Sequence, residues 1–528
     1  MLKKEEKSKF VNFFWILFYF LVFLIVVRGG FSYLDPDFGW HLKVGEAISM
    51  SGQVPHANLY NYTYSGNWVD HEWLSNLGLY YLYNFAGYEA LVIFFALIII
   101  GVLILLNIFV SRRSGYKIPI WLSASLQLLG VLAALPHFGV RLQELALPFV
   151  LLVLIILDNY ERRRRWTLLL FLASLFWLWA SLHASFLIGL FLVAAFVAIK
   201  IGERLIYQRK FWSFIDSSKL MAWRGIGFLG LGFSISLIAT FFTPYKLGLY
   251  EFLAGYKNNA YLSLIQEWLP QYSFPFHYYQ LVYLAIGAAA ILFYIYYRLK
   301  AKRGLEIWPL FLTVLFLALS FKSRRHFPLF LIATLPFIVE TYSYFFTEIK
   351  IAYYKWLRYL VFFCLALVIL SQLMNIRPVP QPFAGFCDDY PCAAVKFLRT
   401  NPEYLAGNVF NEYGWGGFLI AELPEIKIFI DGRLPQVALA DWTFVEEYNS
   451  FFHGDESPQI KLDKYNIDTI LIKAEDKPVV VKKWEKFFFV IRDEDLVTKN
   501  KLREYLEQEI AWKLIYNDGV AKIYLRRK

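Results

Sequence analysis

The chain has 528 residues, of which 58% are hydrophobic, 20% aromatic and only 18% charged, a composition too apolar for a protein that dissolves as a globule. Its net charge of +11 is uneven: residues 1–376 carry 32 Lys and Arg against 18 Asp and Glu, whereas 377–528 carry 21 against 24. A wholly soluble enzyme is thereby excluded, and three cysteines, Cys364, Cys387 and Cys392, are too few for a disulfide scaffold or a Cys-rich zinc module.

In chain order, residues 1–376 repeat one pattern, an apolar run of spanning length followed by a polar or basic break. Eleven transmembrane helices are predicted, near 12–32, 89–110, 118–136, 142–158, 167–182, 184–201, 225–243, 278–297, 306–321, 327–346 and 354–375. The first follows a Lys-rich start, but no small-residue cleavage site comes after it, so it reads as an anchor rather than a signal peptide. Cationic loops stay on the cytoplasmic side. Arg112 and Arg113, the run Arg162 to Arg165, and Arg298 to Arg303 therefore place the N-terminus in the cytoplasm, and an odd number of spans puts 377–528 outside it. The Arg162 run is a topology signal, not a nucleic-acid patch, and no nucleic-acid partner is expected.

PVPQP at 378–382 marks a boundary, so the predicted domains are a membrane domain over 1–376 with a long first outer loop at 33–88, a linker over 377–386, and an extracytoplasmic α/β domain over 387–528. In that domain β-rich runs at 407–411, 426–431, 468–473 and 521–526 alternate with amphipathic helical stretches at 390–400 and 499–510. Cys387 and Cys392 fall in the expected oxidising compartment, where they either close a small ring or stay free thiols.

A charge at mid-membrane costs about 2.5 to 3.5 kcal/mol on insertion scales, so polar residues gathered at the outer loops are informative. The first loop carries DPDFGWH at 35–41 and NWVDHEW at 67–73. Asp35 and Asp37 stand where the first span ends, and they either cap a helix or do chemistry. A helix starting at Asp37 puts His41 one turn on, on the same face. Asp70, His71 and Glu72 form a second acidic cluster. Trp40, Trp68 and Trp73 read first as interface anchors, with stacking on a sugar ring as a second role. The later outer breaks supply Arg141 in PHFGVR, His183 in LWASLHASF, Glu267 and Trp268 in QEWLP, and Lys322, Arg324, Arg325 and His326 in KSRRHFP. Three cations within four residues on the outer side call for an anion such as a lipid phosphate, or else snorkel to the headgroups. His183 is either packed between two helices or meets substrate. Carboxylates can deprotonate an acceptor hydroxyl or hold a divalent cation, while cations stabilise a leaving phosphate.

These stretches, with TPYKLGLY at 243–250 and NEYGWGGFLIAELPEIKIFIDGR at 411–433, resemble the GT-C superfamily of polytopic membrane glycosyltransferases. That superfamily includes protein mannosyltransferases, aminoarabinose transferases and the catalytic subunit of oligosaccharyltransferase; in motif order the chain is most similar to an uncharacterised prokaryotic membrane-protein group near it. The resemblance implies an inverting hexosyl or pentosyl transfer from a polyprenyl-phosphate-linked sugar to a lipid, glycan or protein acceptor on the extracytoplasmic face. It makes Asp35 and Asp37 the first-loop acidic motif, with Asp37 as base and His41 sharing its proton or a metal. It also brings in Asp70 and Glu72 as a second acidic position. Donor phosphate would meet Arg324, Arg325, Lys322, His326 and Arg141. Substrate would meet His41, His183, Glu267, Trp268, Glu412, Asp431 and Arg433, and magnesium or manganese at Asp35, Asp37 and His41 is left open. NEYGWGG is similar to the WWDYG-type signature of oligosaccharyltransferases, with Asn411 and Glu412 where the paired tryptophan and aspartate would stand. Its glycines Gly414, Gly416 and Gly417 allow a tight turn and close backbone approach, and Asp431, Gly432 and Arg433 follow a predicted strand at its C-terminal end, a common ligand position. Alternatively, Glu412, Asp431 and Arg433 form a salt-bridged turn. Two other classes compete: a lipid or glycolipid transporter or flippase, which would want polar residues through the membrane depth, and a non-catalytic envelope scaffold. No Gly-rich nucleotide loop opens a helix, so a nucleotide-sugar donor is not expected.

Overall fold

The computed structural model describes residues 2–30, 33–114, 118–208, 215–255, 265–273, 275–348, 354–374, 384–434, 443–454, 456–475 and 500–527, with a few isolated positions besides. PVPQP and most of the predicted linker lie outside the described residues. The chain divides into two compact units. One comprises Met1–Tyr33, Glu89–Lys246 and Glu267–Val379, the other Leu34–Tyr88, Leu247–Gln266 and Pro380–Lys528.

The first unit is a helical bundle. Its helices are α1 (Leu2–Gly30), the later part of α3 (Trp73–Arg113), α4 (Ile120–Ala134), α5 (Ala146–Arg163), α6 (Thr167–Leu182), α7 (Phe186–Gln208), α8 (Trp223–Ala239), α10 (Tyr278–Lys300), α11 (Ile307–Lys322), α12 (Phe327–Glu348) and α13 (Tyr354–Leu373). Among the described residues seven helices are long and apolar enough to cross a membrane, and four shorter apolar ones accompany them, at Thr167–Leu182, Trp223–Ala239, Ile307–Lys322 and Tyr359–Leu373. Together they coincide with the eleven predicted spans. Helices form there because no water satisfies a backbone amide in hydrocarbon, so each run must bond within itself. Phe171, Leu292, Trp356 and Cys364 stay exposed, as lipid-facing side chains do. The chain is an integral membrane protein with a C-terminal sheet.

At one end of the bundle the basic break residues are tied rather than free. Arg113 bonds Asp158 and Glu340, each at 3.1 Å, Arg162 bonds Asp158 at 2.9 Å, and Arg298 bonds Asp216 at 2.8 Å. Lys200, fully buried, pairs with Glu161 and Glu203. These pairs join the ends of α3, α5, α7, α10 and α12.

The second unit holds a four-stranded sheet of order β1-β2-β4-β3, with β1 (Asn408–Asn411) parallel to β2 (Ile467–Lys473) and β3 (Trp512–Asn517) and β4 (Ala521–Arg526) antiparallel. Around it stand α2 (Phe38–Ser51), the start of α3, α9 (Gly248–Ala254), α14 (Cys392–Thr400), α15 (Gly416–Glu422), α16 (Phe444–His453), α17 (Pro458–Lys464) and α18 (Lys501–Gln508). Phe410, Phe429, Phe451, Leu462, Ile470 and Tyr524 belong to its core. Cys387 and Cys392 are joined as a disulfide.

Two sequence expectations need correction. The first loop, assigned above to the membrane domain, is built into this unit: Tyr62 packs on the core, and its neighbour Thr63 donates its Oγ1 to the Phe429 carbonyl at 2.6 Å. The run at 426–431 is also not a strand of the sheet. It touches the sheet at an isolated parallel bridge, Ile428 to Val409 of β1, while the Ile428 N–H goes to the Tyr60 carbonyl at 2.9 Å and the Phe429 and Ile430 N–H to the Asn411 Oδ1 at 2.9 and 3.2 Å. Ile428, Phe429 and Ile430 are therefore buried without a continuous ladder. The strand at 512–517, which the sequence reading omits, turns into β4 through Asp518 and Gly519, whose φ of 85° suits glycine.

Candidate active site

Within the second unit the two motifs singled out in the sequence meet. Asp37 precedes α2 but makes no side-chain cap. The turn is held by Asp35 instead, whose Oδ1 accepts the Asp37 N–H at 2.8 Å, an Asx turn. The carboxylate of Asp37 is thus left for other partners, and the Trp40 indole N–H donates to its Oδ1 at 2.8 Å. Glycines make the approach: a Cβ at Gly39 would collide with the Gly417 carbonyl, one at Gly417 with the Pro36 carbonyl, and one at Gly432 with the Asp37 carboxylate. Gly416 and Gly417 give the close backbone approach expected of them, while a side chain at Gly414 would meet open space.

Beside this seat, Arg433 and Asp431 are almost wholly buried, at 3% and 0% exposure. Arg433 donates Nε to Asp431 Oδ1 at 2.8 Å, and Nη2 to Asp431 Oδ2 at 2.7 Å and Asn61 Oδ1 at 2.8 Å. Its guanidinium lies 4.9 Å from the Tyr60 ring, 5.0 Å from Trp68 and 5.8 Å from Trp40, within cation–π range. Trp40 and Trp68 are therefore buried walls around an arginine rather than interface anchors, and the salt-bridged turn is the arrangement found. Asn411 holds it from below, its Nδ2 donating to the Ile430 carbonyl at 2.8 Å.

The second acidic cluster forms a separate buried chain. Asn76 Nδ2 donates to both oxygens of Asp70, at 3.0 and 2.9 Å, and the Glu72 N–H to Asp70 Oδ1 at 3.1 Å. Burial pushes Asp70 up to about 6, against the pull of those donors. The Asn76 Oδ1 lies 2.6 Å from His41 Nδ1; an amide oxygen only accepts, so that nitrogen carries the proton. Burial lowers His41 to about 3, so the ring is neutral and its 3.9 Å approach to Glu72 is no ion pair. This corrects the expected pairing of His41 with Asp37: the helix start does put them one turn apart, but the ring turns to Asn76. Glu72 also lies 3.8 Å from His71.

Asp35 Oδ1 closes a turn, Asp37 Oδ1 holds an indole, and His41 donates its Nδ1–H to an amide. Among the described residues no three His, Cys, Asp or Glu side chains converge on one point.

The first unit carries the cations, at the bundle end opposite the Arg113 network. Arg141, just before α5, donates to Glu267 Oε1, and Arg325 lies 3.8 Å from Glu267 Oε2. Arg325 also stands over the Trp268 ring at 5.0 Å, which meets His326 edge to face. Burial alone would raise Glu267, but Arg141 and Arg325 outweigh it and bring the carboxyl down to about 2. The anion this cluster calls for is thus supplied in part by the chain itself, and two guanidinium groups share one carboxylate. Arg324 differs: it is buried and donates to the Ser273 carbonyl. Lys322 is exposed at the end of α11.

His183 follows α6, and its Nδ1 accepts the Ser185 N–H at 2.9 Å, a local turn contact. Glu412 lies 3.5 Å from the half-exposed Lys473. The sequence reading misses Asn61 and Asn76 and gives Asn411 only a place in NEYGWGG, not its bonding role; all three are buried. Three asparagines inside apolar or aromatic stretches are the signal that would have found them, because a buried amide must be paired.

No known family's sequence pattern and no curated protein sequence matches the chain. Its structure is similar to that of an archaeal oligosaccharyltransferase, AglB from Archaeoglobus fulgidus, solved with an inhibitory peptide and a dolichol-phosphate. The identity is 11% and the TM-score 0.53, over 98% of this chain and 74% of that one. An oligosaccharyltransferase of Archaeoglobus fulgidus in the apo form, and tethered to an acceptor peptide containing the NVT sequon, gives in each case 11% identity and a TM-score of 0.51, over 99% of this chain and 75% of the other. The chain has the GT-C fold.

Proposed function

We propose that this GT-C-fold chain is a membrane glycosyltransferase that moves a sugar from a polyprenyl-phosphate-linked donor to a hydroxyl or amide acceptor at the extracytoplasmic face. The observation that carries the reading is Asp37: a first-loop carboxylate that is oriented by the Trp40 N–H and sits on a glycine. Asp37 accepts the acceptor's proton as the acceptor atom attacks C1 of the sugar. The C1–O bond to phosphate breaks, C1 inverts, and polyprenyl phosphate leaves with the bonding electrons. In the helical unit, Arg141 and Arg325, forked donors that hold one carboxylate between them, are suited to a phosphate anion. Asp70 and Glu72 serve as support through Asn76 and His41, and Trp268 as the plane that keeps Arg325 in place.

The basic network of Arg113, Arg162 and Arg298 is taken to face the cytoplasm, with the N-terminus, and the sheet-bearing unit to lie outside, where the Cys387–Cys392 bond suits an oxidising compartment. Full-length protein in detergent, given a panel of short polyprenyl-phosphate hexoses and pentoses, should release polyprenyl phosphate in a reaction that Asp37→Asn abolishes. Undiminished release by Asp37→Asn would remove Asp37 as base.

A further inference from the structure

Arg433 was a natural candidate for a substrate contact, yet its guanidinium is enclosed by Asp431, Asn61, Tyr60, Trp68 and Trp40. Those partners make it part of the frame of the turn. What it does hold is the face of Trp40, and the edge of that indole donates to Asp37. Between the two charged residues, Gly432 lies directly under the Asp37 carboxylate, where any side chain would displace it. Asn411 fixes the approach to this turn through the Phe429 and Ile430 N–H groups and the Ile430 carbonyl.

We propose that the turn Asp431–Gly432–Arg433 is the positioning device for Asp37, Gly432 giving the carboxylate its seat and Arg433 holding the Trp40 indole whose N–H sets the carboxylate's orientation. This rests on the reading of Asp37 as the base. The turn acts on Asp37 through Trp40 and through the space that Gly432 leaves empty. The alternative for the same residues, a salt bridge that merely stabilises the unit, leaves unexplained why the residue between them lacks a Cβ at the point where Asp37 arrives.

The test reads Asp37 itself and needs no substrate. Full-length protein in detergent is treated with a water-soluble carbodiimide and an amine between pH 4 and 8, and modification of Asp37, which requires its protonated form, is followed by peptide mass spectrometry. The titratable and charged groups around Asp37 are Asp35 on its own turn, Asp431 and Arg433 on the turn beneath it, and Asp389 and Tyr390 from the disulfide loop. None of these changes in Trp40→Phe, which keeps a ring and removes the donor. The midpoint for Asp37 should then rise by about one pH unit, because a hydrogen bond to the charged form is lost. Gly432→Ala should also raise it, by moving the carboxylate off its seat, while modification of the distant Asp463 stays as in wild type. A midpoint unchanged in both variants overturns the proposal, as does a change that appears only together with general unfolding in thermal melts. Failure of the functional reading is separate: Asp37→Asn with full transfer removes the base whatever the labelling shows.

Discussion

Two arginine sites in this molecule use the same chemistry to opposite ends. Arg433 in the sheet-bearing unit has a whole carboxylate to itself, bidentate and almost fully buried. Arg141 and Arg325 in the helical unit share the single carboxylate of Glu267, and Arg325 keeps a third of its side chain exposed. A guanidinium paired with its own carboxylate in a dry site is part of the frame, since breaking it leaves a charge in low dielectric. A pair of guanidiniums holding one carboxylate is left with one net positive charge, and that remainder is what an incoming phosphate can use. Burial and stoichiometry, rather than residue type, separate the arginine that positions from the arginines that bind.

The largest expected effect tests the acids. Asp37→Asn should lower transfer by about 10²- to 10⁴-fold, the usual range for a lost general base, whereas Asp35→Asn should retain most of it, because an asparagine oxygen closes the same turn with the Asp37 N–H. Equal losses in both would mean that Asp35 does more than shape the turn. Next comes the contrast between arginines. Arg433→Met strands Asp431 and should cost about 3–5 kcal/mol of stability, read as a lower thermal midpoint in detergent. Arg325→Ala should cost about 1 kcal/mol or less yet weaken binding of a polyprenyl phosphate. A binding defect in Arg433→Met without loss of stability would reverse the two roles.

How much of this was legible in the sequence depends on the distance over which each feature is encoded. The spans were legible because hydrophobic length is local, and even the 16-residue helices Thr167–Leu182 and Ile307–Lys322 announce themselves by composition. DPDFGWH and the glycine-rich stretch before Arg433 each stood out. That they form one site did not: Asn61 and Arg433 bond across 372 positions, and no periodicity links them. Glycine was the clue that read correctly at Gly417. Tryptophan misled, because an indole suits a membrane interface as well as it suits the wall of a buried cation, and only the partner decides. The run at 426–431 misled for a related reason: its pattern is that of a strand, but it meets β1 at one isolated bridge, and its other backbone partners are a side chain, Asn411, and the first loop.

Asp70 gives a smaller, pH-dependent effect. Its folded-state pKa, about 6, lies above its ordinary 3.8, so between these values the folded protein binds more protons than the unfolded chain and stability falls as pH rises. His41, held neutral, acts in the opposite sense below pH 6.5. The two are separated by subtraction. Stability of wild type minus that of Asp70→Asn should fall by on the order of 2–3 kcal/mol from about pH 4 to about pH 6 and stay flat above. A difference that rises over that window would mean that Asp70 is stabilised as the anion.

The smallest effect concerns Glu267. Its carboxyl is held at about 2 by Arg141 and Arg325, so its contribution to stability is complete above the ordinary carboxylate range and is lost only as pH falls toward 2. Between pH 5 and 8 it therefore stays charged and competes with phosphate for the same two guanidiniums at every pH. Glu267→Gln keeps the side chain's shape while removing that charge, which raises the local net charge from one to two. Binding of a short polyprenyl phosphate should tighten by up to about tenfold at low salt, a gain of about 1 kcal/mol that fades as salt is added. Weaker binding in Glu267→Gln would mean that the carboxylate's service in holding Arg141 and Arg325 together outweighs its competition, and the helical site would then resemble the Arg433 site after all.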